Sequence, residues 1–191
     1  MRLIFQTERL FFRRCRPSDF DALEPILSDP PTMRLMGTGQ PQTDAEIRGF
    51  LDFAEQHHRE YGFGPGLLVD KETNAVIGDA GLVFHDQSQQ VAEVYYVLSR
   101  PMWNKGLATE FCQAAVDFLL ARPDVGSVRA TAMPENTASV RMLEKSGFLF
   151  QHYNQQANRR VYTIDRAAVL TAFEDRALGQ RQCSDPSGKI S

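Results

Sequence analysis

Hydrophobic and polar residues alternate near the start of the chain, a pattern typical of a half-buried strand. The alternating run covers residues 7–15, with the sequence TERLFFRRC. Residues 19–27 follow Pro17 and Ser18, which are a helix-start signal. Hydrophobic residues recur at helical spacing in a second segment from Thr43, where Glu46 stands three residues later as in a capping box. Gly62 ends that second helix. The first third of the chain therefore predicts one strand followed by two helices.

Three glycines, Gly62, Gly64 and Gly66, follow the second helix and are separated by single residues. A glycine-rich segment can form a phosphate-binding loop, but a P-loop needs a lysine at fixed spacing and a full set of backbone N–H donors. No lysine stands at that spacing, and Pro65 removes one donor. The segment is therefore predicted to be a turn that leads into a strand at residues 67–69.

Strand-like and helix-like runs alternate through the rest of the chain. Two long strand-like runs, residues 75–84 and 91–98, flank a polar segment and are predicted to pair antiparallel. The order of elements beyond them predicts mixed pairing and an α+β fold. The further predicted helices are residues 107–121, 136–146 and 165–178, and the further strands are residues 127–132, 148–153 and 159–164. Residues 1–178 are predicted to form a single domain, and residues 179–191 a flexible tail.

The composition narrows the possible functions. Of the 191 residues, 42% are hydrophobic and 24% are charged, as in an ordinary globular domain. The formal net charge is −3, so nucleic acid is not an expected partner. The three cysteines show no CxxC spacing, which argues against a disulfide framework and a zinc site, so no metal is expected. No apolar run is long enough to span a membrane, and a cytoplasmic location is predicted.

A strand, a glycine-containing turn and an amphipathic helix follow one another between residues 91 and 121. The turn carries the sequence WNKGLATE, in which Gly106 directly precedes the helix. A helix N-terminus offers unpaired N–H groups and a positive dipole end, which suit an anion such as a pyrophosphate. Lys105 adds a positive charge, while Gly106 and Ala108 leave room for a phosphate close to the backbone. An ordinary strand-to-helix turn is the alternative interpretation.

The next helix supplies a second motif. Asn136 follows a β-rich run and has the residue type of a helix N-cap, and the helix continues as NTASVRMLEKSGF. Together with TERLFFRR near the N-terminus and WNKGLATE in the middle, this segment resembles the GNAT family of N-acetyltransferases. Within that family, the sequence most resembles the RimJ/RimL-like branch, which acetylates ribosomal-protein N-termini. The resemblance covers residues 7–162.

The resemblance implies a GNAT fold, in which a twisted mixed sheet of about seven strands is flanked by about four helices. Two central strands separate from each other, and the pantetheine arm of acetyl-CoA inserts between them. Val97 and Leu98 would offer backbone contacts, the turn would wrap the pyrophosphate, and Asn136 would lie near the pantetheine arm. The implied coenzyme-binding residues are Val97, Leu98, Trp103, Asn104, Lys105, Gly106, Leu107, Ala108, Thr109 and Asn136.

The chain departs from the family pattern at two positions. Many relatives have arginine or glutamine where Trp103 stands, although tryptophan is familiar in the RimJ/RimL-like branch. Many relatives also carry a tyrosine, as the acid that protonates the departing thiolate, at the position of Leu143. Ser139, three residues after Asn136, resembles the serine that the RimJ/RimL-like branch places beside the thioester sulfur. Ser139 is therefore predicted to hydrogen-bond the leaving thiolate.

The acceptor amine must lose a proton, because amines with a pKa of about 8 to 10 are mostly protonated at neutral pH. Glu93 is the candidate base, since relatives often place a glutamate that works through water in the strand beside the acetyl group. A solvated glutamate without a catalytic role is the alternative. Cys112 is predicted to be a small buried residue rather than a nucleophile, and His57 and His58 are predicted to be surface residues.

The predicted function is direct transfer of the acetyl group from acetyl-CoA to a primary amine. A protein or peptide N-terminus is the first choice of acceptor and a small amine the second, and residues 33–56 are predicted to form the wall that selects it. A homodimer is common among such enzymes. A non-catalytic acetyl-CoA-binding or sensor domain of the same fold is the alternative function, whereas a P-loop or dinucleotide-binding module lacks its motifs.

Overall fold

The structure, a computed structural model, describes residues 2–166 and contains one sheet of eight strands. The strands are β1 (Leu3–Gln6), β2 (Leu10–Arg14), β3 (Gly66–Asp70), β4 (Val76–Asp86), β5 (Val91–Leu98), β6 (Ser127–Ala132), β7 (Leu149–Asn154) and β8 (Arg159–Asp165). Their order in the sheet is β1-β2-β3-β4-β5-β6-β8-β7. Neighbouring strands run antiparallel, except that β5 and β6 are parallel. The predicted antiparallel pair and the predicted mixed sheet are both confirmed.

The helices of the described part of the chain are α1 (Phe20–Leu27), α2 (Pro30–Met33), α3 (Asp44–Tyr61), α4 (Leu107–Leu120) and α5 (Thr137–Lys145). The longest, α3, begins at the predicted capping box. The Glu46 carboxylate accepts from the Thr43 N–H at 2.7 Å, and the Thr43 hydroxyl accepts from the Glu46 N–H at 3.4 Å. Across residues 2–166, no helix has the length and apolarity that crossing a membrane requires.

The alternation of side chains along the strands buries both faces of the sheet. On one face, Leu67 and Val97 pack in a cluster with residues of α1, α2 and α3. On the other face, Leu68 and Val94 pack in a larger cluster that contains Phe111 and other residues of α4. Successive residues of a strand point to opposite faces, so the strands β2, β3, β4 and β5 contribute to both clusters. The sheet is thus the middle layer between two helical layers.

The parallel strands β5 and β6 stay together over only part of their length. Their register partners run from Val91 and Ser127 to Glu93 and Arg129. Beyond that point β5 continues to Leu98 along β4, whereas β6 continues along β8. The two strands therefore separate, as the family resemblance implied, and a gap opens in the centre of the sheet.

The strand β1 adds to the predicted architecture and raises the strand number from about seven to eight. It has four residues, too short for alternation to be detected in the sequence. Its Phe5 ring lies 5.0 Å from the Phe12 ring and 5.9 Å from the Phe111 ring, between ring centroids. The predicted strand at residues 7–15 begins later, at Leu10, because the preceding residues form the turn between β1 and β2.

The prediction that His57 and His58 lie at the surface is wrong. Both are buried, with 6% and 5% of their surface exposed. The Nδ1 of His57 lies 2.8 Å from the Phe63 carbonyl oxygen, and its Nε2 accepts from the Phe84 N–H at 3.3 Å. The Nε2 of His58 lies 2.7 Å from the Pro65 carbonyl oxygen, and burial lowers the pKa of His58 to about 4. The glycine-rich segment folds back over the end of α3 and encloses both rings, so it is the turn that was predicted.

The helix predicted at residues 165–178 and the tail predicted at residues 179–191 lie outside the described residues, apart from Asp165, which ends β8, and Arg166. The assignment of residues 1–178 to a single domain therefore stays a prediction.

Candidate active site

Two cavities meet at the gap between β5 and β6. The first, which we call the α4 groove, has a volume of about 490 Å³ and runs from the turn before α4 along the end of β5 to α5. The second, the inner cavity, has a volume of about 340 Å³ and reaches from α1, α2 and α3 through the gap. Residues that line both cavities include Tyr96, Val97, Asn136, Ser139 and Met142. A molecule in one cavity would therefore contact a molecule in the other.

The N-terminus of α4 forms one end of the α4 groove. Gly106 is its N-cap and provides no side-chain hydrogen bond, and the first intrahelical bond runs from the Glu110 N–H to the Gly106 carbonyl. The N–H groups of Leu107, Ala108 and Thr109 therefore lack intrahelical partners. All three residues line the groove. Three free N–H groups at a positive helix end can bind an anionic group, which is the chemistry predicted for this turn.

A set of contacts that we call the Arg9 clasp holds the turn in place; it consists of Thr7, Arg9, Lys105 and Glu110. Arg9 donates to Glu110 through its backbone N–H at 2.8 Å and its Nε at 2.6 Å, and through Nη1 to the Lys105 carbonyl at 2.8 Å. The Thr7 hydroxyl donates to the same carboxylate. Partial burial raises the pKa of Glu110, but the bonds from Thr7 and Arg9 outweigh it and hold that pKa below its usual value.

Asn104 and Lys105 are neighbours in the turn, but only Asn104 lines the α4 groove. Asn104 has a left-handed backbone, with φ of 61°, and lines the α4 groove. The side chain of Lys105 instead belongs to a neighbouring surface pocket with Arg9 and Lys71, and its Nζ lies 3.8 Å from the Met102 sulfur. Lys105 thus contributes its carbonyl to the clasp, and its side chain is not among those that line the groove.

Trp103 fixes the end of β5. Its indole Nε1 donates to the Leu98 carbonyl at 2.7 Å. The Ser99 N–H donates to β4, and backbone groups of an antiparallel strand alternate in direction. The backbone of Val97 therefore also faces β4, whereas the backbone groups of Leu98 and Tyr96 face the gap. Val97 lines both cavities, and the backbone that faces the gap beside Leu98 is that of Tyr96 rather than that of Val97.

Two hydroxyl groups meet where the cavities join. The Tyr96 hydroxyl lies 2.9 Å from the Ser139 Oγ, and the Asn136 side chain accepts from the Ser139 N–H at 3.1 Å, as expected of an N-cap. Burial raises the pKa of Tyr96, so its phenol stays protonated and can donate a hydrogen bond. Leu143 is buried in the wall of the inner cavity and offers no hydroxyl. The Tyr96–Ser139 pair therefore joins β5 to α5 beside the gap, where both residues line both cavities.

Two carboxyl groups line the inner cavity. Glu93 is paired, since its Oε2 accepts from the Arg129 Nη1 at 3.0 Å and lies 3.5 Å from the His85 Nδ1. Asp79 on β4 is buried, with 3% of its surface exposed. The predicted residues Glu93, Ser139 and Asn136 are thus brought to one cavity.

Tyr96 and Asp79 were not predicted as site residues. Strand parity places Tyr96 on the face towards α4, but its partner Ser139 is 43 residues away and could not be identified from spacing. Asp79 gave a readable signal, because an acidic residue between Gly78 and Ala80 interrupts a run that is otherwise apolar. Cys112 is buried as predicted, and burial raises the pKa of its thiol to about 12, which leaves it unreactive.

Comparisons with known proteins agree with this geometry. The model of the acetyltransferase (GNAT) domain family matches residues 9–149. The uncharacterised N-acetyltransferase p20 of Bacillus licheniformis is 31% identical over 160 residues, which cover 81% of this chain and 89% of that protein. RimL, a ribosomal L7/L12 alpha-N-protein acetyltransferase solved in complex with coenzyme A, aligns with a TM-score of 0.75 and 17% identity over 87% of this chain and 99% of RimL. The microcin C7 self-immunity acetyltransferase MccE, solved with acetyl-CoA and AMP, aligns with a TM-score of 0.71 and 10% identity over 83% of this chain and 93% of MccE. Both structural likenesses are likenesses of fold.

Proposed function

The chain belongs to the acetyltransferase (GNAT) family, and on that premise we propose that it transfers the acetyl group of acetyl-CoA directly to a primary amine, with a protein or peptide N-terminus as the first choice of acceptor. The observation that carries the proposal is the meeting of the two cavities at the Tyr96–Ser139 hydroxyl pair, inside the gap between β5 and β6. One cavity then serves each substrate, and the transfer takes place where they join.

The α4 groove fits acetyl-CoA at both of its ends. The free N–H groups at the start of α4 suit the pyrophosphate, and Gly106 keeps that helix end open. The pantetheine arm is an amide chain, and the Tyr96 backbone and the Leu98 N–H face the gap as an unpaired strand edge would. Acetyl-CoA supplies the thioester, and its place in the gap brings that thioester to the hydroxyl pair.

The hydroxyl pair supplies the proton that the leaving thiolate takes up. The departing thiolate needs a hydrogen-bond donor, and Ser139 is held for this by its N–H bond to Asn136. Tyr96 stands behind Ser139 at 2.9 Å and can pass a proton to it, because its phenol remains protonated. In this chain Tyr96 thereby provides from β5 the phenol that many relatives carry at the position of Leu143. No covalent enzyme intermediate is needed, so catalysis depends on alignment and proton transfer.

The lining of the inner cavity supports the proposal that residues 33–56 select the acceptor. Met33, Met36, Gln42 and Phe50, all within residues 33–56, line it. Arg159 and Gly37 line it too, and the Arg159 guanidinium donates to the Gly37 carbonyl at 2.6 Å. A peptide N-terminus suits a cavity that is mostly apolar and carries a few polar groups. The name of RimL supports a protein N-terminus, and the name of MccE supports a small molecule as second choice.

Replacing Ser139 with alanine is expected to lower kcat about 100-fold, because general acid catalysis contributes roughly this much. Tyr96→Phe is expected to lower kcat by about 10-fold, since it removes only the second hydroxyl of the relay. The double variant should be little slower than Ser139→Ala, because two groups that act as one unit do not contribute additively. Steady-state kinetics with acetyl-CoA and one good acceptor measure all three.

The matched control is Thr137→Ala, which removes an exposed hydroxyl from the same first turn of α5. It should leave kcat and the KM for acetyl-CoA unchanged. Full additivity of the two losses would contradict a relay between Tyr96 and Ser139, and an unchanged kcat in Ser139→Ala would refute its role as acid.

The function itself is tested by a thiol-release assay with acetyl-CoA against N-terminal peptides and small amines, with coenzyme binding followed by calorimetry. Rapid release with peptides confirms the first choice of acceptor, and rapid release with small amines alone replaces it by the second. Binding of acetyl-CoA without release from any acceptor would support the sensor domain instead. Failure to bind acetyl-CoA would contradict the proposal as a whole.

A further inference from the structure

Asp79 is a buried carboxyl group without a hydrogen-bond partner for its Oδ1 among the residues that the structure describes. Only 3% of its surface is exposed, yet the residue lines the inner cavity. A buried carboxylate is costly unless a cation or hydrogen-bond donor accompanies it. An unpartnered acid at this place therefore needs a ligand, and the inner cavity can bring one.

The position of Asp79 in the sheet places it close to the transfer point. It is the register partner of Val97 on β5, and Val97 directly follows Tyr96. The neighbouring pair along the same face is Gly81 and Tyr95, where the Tyr95 ring covers Gly81 so closely that an added Cβ would lie 1.7 Å from it. Asp79 is thus one strand away from the gap where the hydroxyl pair lies.

Within residues 2–166, no cationic side chain forms a salt bridge with Asp79, and Arg159, which lines the same cavity, donates to the Gly37 carbonyl instead. From α1 and α3, the cavity receives the apolar side chains of Leu27 and Phe50. From β5 and the end of β2, it meets the Tyr95 phenol and the Cys15 thiol; burial raises the pKa of both, and the negative charge of Asp79 adds to this.

The nearest arginine on β2 is engaged elsewhere. Arg13 donates to both carboxylate oxygens of Asp19 at 2.8 Å. The other carboxyl of the cavity, Glu93, has Arg129 as its partner at 3.0 Å. Of the two carboxyl groups that line the inner cavity, Asp79 rather than Glu93 therefore has an oxygen that can accept a hydrogen bond from an incoming amine.

The chemistry of Asp79 suits proton transfer from an amine. Burial raises the pKa of Asp79 to about 7. An α-amine has a pKa of about 8, so a proton can pass between the two groups at a cost of roughly one pKa unit. The transfer also converts a buried ion pair into two neutral groups, which a low-dielectric cavity favours.

We propose that Asp79, rather than Glu93, receives the proton of the acceptor's ammonium group in the inner cavity. The inference rests on the proposed acetyl transfer. The acceptor enters as R–NH3⁺ and gives one proton to Asp79 Oδ1. The amine lone pair then forms the C–N bond as the C–S bond breaks, the second proton passes to the thiolate, and Asp79 later releases its proton to water.

The test is the pH dependence of kcat/KM for a peptide acceptor in the wild-type protein, in Asp79→Asn and in Glu93→Gln. The wild-type profile should rise to a plateau as Asp79 ionises near pH 7, because Asp79 can then remove the proton of an acceptor that is still an ammonium ion. Asp79→Asn should lower kcat/KM about 100-fold at pH 7.5. Its profile should rise to a plateau above pH 8, because only the neutral amine can then react.

Glu93→Gln is the matched control for removal of a cavity carboxyl, and its profile should still rise near pH 7 whatever its effect on the rate. If the profile of Asp79→Asn rises near pH 7 as in the wild type, or if that of Glu93→Gln moves to the pKa of the amine, the proposal is overturned. A wild type that releases no thiol with any acceptor contradicts the proposed function and this inference together, whereas an active wild type with an unaltered Asp79→Asn profile contradicts only the inference.

A thermal denaturation series checks independently that Asp79 titrates in the folded protein. Its pKa is raised on folding, so the folded state binds the proton more tightly than the unfolded state. The stabilisation is complete below about pH 4 and is lost as the pH rises to about 7. As the pH rises from about 4 to about 7, the Tm of Asp79→Asn should therefore increase relative to the Tm of the wild type. A constant difference in Tm would show that Asp79 does not titrate there, which contradicts its role.

Discussion

Replacing Gly106 with valine is expected to raise the KM for acetyl-CoA about 100-fold while the protein stays folded. Gly106 caps α4 with φ of 77°, a left-handed conformation that a β-branched residue disfavours. An added Cβ would lie 3.6 Å from the Arg9 guanidinium, so further side-chain atoms would crowd the Arg9 clasp. The N–H groups of α4 would then shift from the pyrophosphate, at a loss of about 1.5–3 kcal/mol for each charged hydrogen bond. Calorimetry with coenzyme A and steady-state kinetics give the two measurements.

The control for Gly106→Val is Gly62→Val, at the C-terminus of α3. Gly62 has φ of 75°, and nothing lies within 4 Å of an added Cβ, so the backbone strain is similar and the α4 groove is untouched. The control should lower stability by about 1–2 kcal/mol and leave the KM for acetyl-CoA unchanged. Equal KM values in Gly106→Val and the wild type would mean that the start of α4 does not bind the coenzyme.

Gly78→Ala is expected to destabilise the protein by about 4 kcal/mol, close to the whole stability of a marginal domain. A Cβ at this position would lie 2.0 Å from the Val97 carbonyl oxygen and 3.2 Å from the Leu98 Cα. These are backbone atoms of β5, so relief requires that β4 and β5 move apart next to the gap. Chemical denaturation monitored by circular dichroism measures the loss, and the midpoint should fall without a change in slope.

Gly49→Ala, in contrast to Gly78→Ala, is expected to stabilise the protein. Gly49 lies in the exposed middle of α3, and nothing stands within 4 Å of an added Cβ. Alanine there should stabilise the protein by about 0.5–1 kcal/mol, because glycine weakens a helix interior. If Gly78→Ala and Gly49→Ala both had the same free energy of unfolding as the wild type, β4 and β5 would not approach each other closely at Gly78.

The parts of the fold that follow from local pattern were predictable from the sequence. The Thr43–Glu46 capping box and the Asn136 cap act within three residues, and both appear where the sequence placed them. The long strands β4 and β5 and their pairing also follow from alternation and from the short polar segment between them. In each case the physical cause lies inside the segment that carries the signal.

The features that the sequence analysis missed depend on contacts between distant segments. In the sequence, His57 and His58 are typical of the polar end of a helix. They are buried because the glycine-rich turn folds back over that end of α3. Tyr96 gained its role from α5, which lies on the far side of the gap. The free oxygen of Asp79 could not be foreseen, because it depends on Arg13 and Arg129 being held by other carboxylates.

The Arg9 clasp joins the anion-binding turn to a segment 101 residues earlier in the chain. Closing so long a loop costs entropy before it gains any contact, so the clasp is expected to form late in folding. We therefore expect the start of α4 to acquire its final shape only after the N-terminal hairpin of β1 and β2, which contacts α4, has docked beside it. A ligand held there binds the native state and not the unfolded chain, and mass action then stabilises the hairpin along with the groove. With the proposed coenzyme bound at the start of α4, resistance to proteolysis is expected to rise with the coenzyme concentration, and the Arg9 clasp would link the two.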